Sequence, residues 1–118
     1  MNSMNIFAHI QQRYGVEPEY PWAKFPDYAV FRHCHHRKWF AVLMNIEANK
    51  IGLNAIEKIW VLNVKATPEE IGSLRMIKAV YPAYHMNKEH WLSLNLTEIN
   101  DTLLYELVDE SFSLTFKK

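Results

Sequence analysis

The segment Arg32-His33-Cys34-His35-His36-Arg37-Lys38 sets imidazoles and a thiol side by side between cationic residues. Neutral imidazole and thiolate are good transition-metal ligands, which makes His33, Cys34, His35 and His36 candidates for holding such an ion. Adjacent residues on a strand point to opposite faces, so a single tetrahedral site would need a tightly curled turn. No C-x-x-C spacing accompanies it. The competing reading is a polar hairpin tip with solvated histidines, and no cofactor or metal is expected.

A second concentration, Tyr84-His85-Met86-Asn87-Lys88-Glu89-His90-Trp91, gathers histidines, a lysine and an amide around a tight turn. A histidine base needs a nucleophile and an orienting group, and no Ser, Cys or Asp with recognisable spacing supplies them. Gly-rich phosphate loops, H-E-x-x-H and paired catalytic carboxylates are absent as motifs, so the chain is not expected to be an enzyme. A ligand pocket lined by His33, His85, His90 and Trp91 stays open, and it requires those side chains to converge. Of the four tryptophans, at least two are expected in the core. Lys38-Trp39, Lys58-Ile59-Trp60 and His90-Trp91 interleave basic and aromatic groups as a nucleic-acid surface does.

The elements that must position these residues follow from periodicity. Asn2 or Ser3 can cap a first helix striped by Ile6, Phe7, Ile10 and Tyr14 and stopped by Gly15. The proline-aromatic stretch 17–26 forbids helix and leaves an extended connector or short edge strand. Tyr28 to His33 and Lys38 to Ile46 read as a hairpin around the first concentration. Trp39 to Met44 is apolar at both parities and belongs in a covered, central strand. Residues 59–64 are a further strand, and 47–58 are left open between loop and helical turn. Thr67-Pro68-Glu69-Glu70 starts a second helix with a capping box, running to about Lys78. Tyr81 to His85 and His90 to Leu96 form a second hairpin. A last helix starts at Thr97 and carries Leu103, Leu104, Leu107, Val108 and Phe112 on one face.

The order is roughly α-β(3-4)-α-β(2)-α, a two-layer α+β sandwich with helices packed on an antiparallel sheet. At 118 residues and 49% hydrophobic content the chain, 1–118, fits a single domain. Its longest apolar run is far below the roughly 20 residues of a membrane helix, and no secretory signal starts it, so the expected compartment is the cytoplasm. Cys34, the one cysteine, suits reducing conditions. Thirteen basic and thirteen acidic residues cancel, so net charge does not argue for nucleic acid, although a local patch could bind.

The segments Phe31-Arg32-His33, Lys38-Trp39-Phe40-Ala41, Leu62-Asn63-Val64-Lys65, Gly72-Ser73-Leu74-Arg75, Tyr81 to Trp91 and Ser111-Phe112-Ser113-Leu114 resemble the MmcQ/YjbR family in the same order. The resemblance covers nearly the whole chain, and the tract Pro82 to Trp91 is its most specific part. It implies a YjbR-like α+β domain, similar in layout to type III secretion chaperones. It also implies DNA binding through a double wing of two β-hairpins, with no catalytic residues to carry over. The wings become the hairpins around His35 and Asn87, with Arg32, His33, Arg37, Lys38, His85, Asn87, Lys88 and His90 as candidate contacts. Phe112 departs from the family's usual tyrosine, which bears on packing. The alternative partner is a protein or peptide, docked on an exposed sheet face or strand edge.

Overall fold

The computed structural model describes residues 3–117. They form α1 (Ser3–Tyr14), β1 (Ala29–Arg32), β2 (Trp39–Glu47), a 3-10 turn (Ala48–Ile51), β3 (Lys58–Lys65), α2 (Pro68–Leu74), β4 (Val80–Pro82), β5 (Trp91–Asn95) and α3 (Asp101–Thr115). The five strands make one antiparallel sheet in the order β1-β2-β3-β5-β4. This is the α+β order that the periodicity predicts.

Strand alternation divides the sheet into two faces. On one, Phe31, Leu43, Leu62, Val64, Leu92 and Leu94 pack against Ile6 and Ile10 of α1 and Leu104, Leu107 and Val108 of α3. Burying each such aliphatic side chain contributes about 1.5–3 kcal/mol, so this layer dominates stability. The two helices are also tied directly. The Tyr14 hydroxyl donates to Asp109, Arg13 Nε lies 3.0 Å from the same carboxylate, and the Tyr14 ring stacks on Phe112 at 3.9 Å.

The other face, with Val30, Val42, Met44, Ile46 and Val61, carries no helix. Trp22 and Tyr28 of the connector, Leu53 and Ala55 after the 3-10 turn, and Tyr84 and Met86 cover it instead. Trp39 to Met44 is therefore apolar at both parities because helix covers one face and loop the other. The proline-rich connector is extended as expected, and Glu19 exchanges two 2.9 Å backbone hydrogen bonds with Val30, covering that point of the β1 edge.

Several boundaries differ from the sequence reading. Asn2 as a cap lies outside the described residues. α2 stops at Leu74 rather than near Lys78, because the chain must reverse into β4 and does so with Ala79 at φ 80°. The Thr67 hydroxyl donates to the Glu70 carboxylate (2.8 Å) and accepts from no backbone amide, so the capping box is not closed. α3 begins at Asp101 with Asn100 as its cap, whose side chain accepts from Leu103 N (2.8 Å). Thr97 and Glu98 are held in the preceding turn by Asn95. All four tryptophans are half-buried and none is fully in the core, as suits a side chain too large to enclose easily.

Candidate functional site

The register fixes where the two chemically rich turns lie. Ala41 pairs with Val64 and Lys65 with Trp91, so the 33–38 turn, the exit of β3 and the 83–90 turn share one end of the sheet.

The first tip closes tightly: His33 N donates to Lys38 O (2.9 Å), Arg37 N donates to His33 O (3.1 Å), and Arg37 takes φ 69°. Its donors face the end of α3, where the last carbonyls lack helical partners and carry the negative end of the dipole. The Thr115 hydroxyl donates to Ser111 O (2.8 Å), so it accepts from His33 Nε2–H at 2.7 Å. His36 Nδ1 accepts from Lys38 N, which leaves its Nε2–H to donate to Phe116 O at 2.7 Å. His35 Nε2 lies 3.2 Å from the same oxygen, and Lys38 Nζ donates to Lys117 O at 2.8 Å. The tip caps α3, with His33 buried and His36 partly so, while His35 stays exposed as a solvated tip would have it.

His33 is only 1% exposed, so it cannot face a phosphate in this conformation. Burial, reinforced by the nearby His36, His35 and Lys38, pushes its pKa down to about 4 and keeps the ring neutral at physiological pH. Among the described residues, the ligand nitrogens of His33, His35 and His36 lie within 4.8 Å of one another, while Cys34 is exposed and outside the group. In this structure Nε2 of each of the three histidines is engaged at the end of α3.

Arg32 and Arg37 both converge on Glu19, Arg32 Nε at 3.4 Å, and the Arg32 guanidinium also lies 5.5 Å from the Trp39 ring centroid. The carboxylate partly neutralises this wing.

The second tip is anchored at its root and open at its crest. Asn63, buried in β3, donates from Nδ2 to Tyr84 O (2.9 Å) and accepts from the Ser93 hydroxyl (2.5 Å), which in turn accepts from Tyr84 N (2.9 Å). This closed buried network draws residues 83–84 off the ladder, so pairing stops at Pro82, and His85 takes φ 62°. The Asn87 side chain is spent on the turn, accepting from Glu89 N (2.7 Å), and Asn87 O accepts from the His90 and Trp91 amides. Lys88 is exposed and forms no ion pair among the described residues.

The pocket imagined from His33, His85, His90 and Trp91 does not assemble: His33 lies under α3 on the helical face, and His85 lies on the loop face. A different pocket exists there, about 280 Å³, with Val42 and Met44 as its floor. Trp22 and Trp39 meet edge to face at 5.7 Å, Phe25 stacks on Tyr28 at 4.7 Å, and Tyr84, His85 and Met86 come from the second tip. A β-bulge creates part of it. Phe31 pairs with Ala41 but Arg32 with Trp39, so Phe40 and Ala41 both turn to the helical core and Trp39 is re-aimed to the loop face. Strict alternation would have sent Trp39 the other way, and no sequence signal marks the extra residue.

The YjbR family model matches residues 11–114. The chain is 41% identical to the uncharacterised protein YyaQ of Bacillus subtilis (strain 168), over 94% of this chain and 95% of that one. It superposes on the crystal structure of a Pseudomonas syringae protein with TM-score 0.95 at 46% identity, covering 98% and 99% of the two chains. Deinococcus radiodurans DR2400, with a DUF419 domain, shares the fold at TM-score 0.73 and 23% identity, over 100% of this chain and 81% of its own. With its element order, both turns and nearly its full length accounted for, this chain belongs to the YjbR family.

Proposed function

We propose that the domain is a non-catalytic DNA-binding module that meets the phosphate backbone with the sheet end bearing both hairpin tips. The observation that carries this reading is their placement: β2, β3 and β5 deliver both turns to one end, as a double wing requires. The second tip supplies the contacts, Lys88 at its crest with His85 and His90 flanking it. The first supplies a brace and the exposed Arg37, for which phosphate must compete with Glu19. Contacts of this kind position the protein and carry little base readout.

Strand addition by a peptide is less well supported. Backbone pairing with Glu19 covers β1 at Val30, and β4 offers three residues ending in Pro82, which has no N–H to donate.

Fluorescence anisotropy with a duplex oligonucleotide across a salt series tests the proposal. So few free cations predict a shallow dependence, log K falling with log salt at about −2 to −3, since each neutralised phosphate contributes about −0.9. Absence of binding at low salt, or affinity indifferent to salt, would overturn it.

A further inference from the structure

The aromatic pocket on the loop face shares Tyr84, His85 and Met86 with the second tip, and the connector and β2 supply the rest of its lining. Its size, about 280 Å³, is enough for a small aromatic ligand, because a cavity of roughly 150 Å³ already admits benzene. We propose that it is a binding site for a free, uncharged, planar compound of about two fused rings.

Shape supports the rings. The perpendicular indoles of Trp22 and Trp39 (87°) and the stacked Phe25–Tyr28 pair present both edges and faces, the geometries aromatic contacts favour. Charge supports neutrality. No Asp, Glu, Lys or Arg lines the pocket, so a buried anion would lack a partner. A cation is disfavoured as well, because the Arg32 guanidinium sits 5.5 Å from the Trp39 ring and makes that wall positive. Lys24, Lys50 and Lys58 line adjoining recesses on the far side of Phe25 and Tyr28 and not the pocket itself. No Lys or Arg lines the pocket itself to meet the phosphate of a strand-borne base, which favours a diffusible compound. The Tyr28 hydroxyl stays protonated, its pKa raised by burial and by Tyr84, so it offers a neutral hydrogen-bonding group to a ring heteroatom.

Titration of the full chain with indole, followed by two-dimensional amide NMR, tests this. Tetramethylammonium and benzoate serve as charged counterparts, and a short single-stranded oligonucleotide as the strand-borne source of rings. Indole is expected to saturate, shifting the side-chain N–H signals of Trp22 and Trp39 and the amides of residues 84–86, with each counterpart at least tenfold weaker there. Met86→Trp fills the mouth and Met44→Phe fills the floor; whichever folds, by its amide dispersion, is expected to bind indole at least tenfold more weakly. The proposal is overturned if indole does not saturate up to its solubility limit or shifts other residues. It is equally overturned if a charged probe or the oligonucleotide occupies the pocket as well as indole does, or if a folded filled variant binds like the wild type.

Discussion

Two turns of similar composition leave the same end of this sheet, each with histidines and a lysine. In the first, His33, His35, His36 and Lys38 reach inward to Thr115, Phe116 and Lys117. In the second, the inward reach is left to backbone groups of Tyr84, held by Asn63 and Ser93, while Lys88 stays in water. What separates them is the structure each turn faces. The end of α3 presents unpartnered carbonyls to the first turn and calls donors to itself. Although α2 borders the second turn, sharing a recess with Lys88 and Glu89, no hydrogen bond to a helix end engages Lys88 among the described residues, so it remains available.

The comparison breaks most severely at the root of the second tip. Asn63→Ala removes the donor to Tyr84 O and the acceptor of the Ser93 hydroxyl together. Buried groups left unpaired cost about 1–3 kcal/mol each, so a loss of about 3 kcal/mol is expected in urea unfolding. Amide shifts should concentrate in residues 83–86 and spare 33–38. A loss near zero would mean that this network does not hold the tip.

Thr115→Val tests the anchor of the first tip. It leaves His33 Nε2–H buried without its acceptor, and the expected cost is smaller, about 1–2 kcal/mol by the same measurement. An unchanged stability would show the histidine to be adequately paired elsewhere.

The same histidine gives the domain a pH dependence of predictable sign. Its folded pKa of about 4 lies below its ordinary value of 6.5, so the unfolded chain takes up the proton first. The contribution is complete above about pH 6.5 and is lost progressively as pH falls toward 4. His33→Leu leaves Thr115 bonded to Ser111 and should remove that part of the decline between pH 7 and pH 5. An identical decline in the variant would assign it to other groups.

Legibility in the sequence followed the range of the interaction. Local periodicity was enough for the element order, the extended connector and the stop at Gly15, whose N–H bonds Gln11 O four residues back. The partner of His36 is 80 residues away, so nothing near the turn announces a cap. The aromatic pocket draws on three separate segments and on a bulge that inverts the side of Trp39, and neither leaves a local pattern. Asn63 and Ser93 become a pair only once β5 is known to lie beside β3. The family resemblance pointed to both tips, but residue types alone could not say which tip is the brace.

The most direct measurement compares Lys88→Ala with Lys38→Ala in duplex-DNA anisotropy across a salt series. Lys88→Ala is expected to leave stability within about 0.5 kcal/mol and to reduce the salt slope by about 1. Lys38→Ala is expected to loosen the end of α3, costing about 0.3–1 kcal/mol, and to leave the slope unchanged. Equal loss of slope in both variants, or loss in Lys38→Ala alone, would contradict the assignment of the second tip as contact and the first as brace.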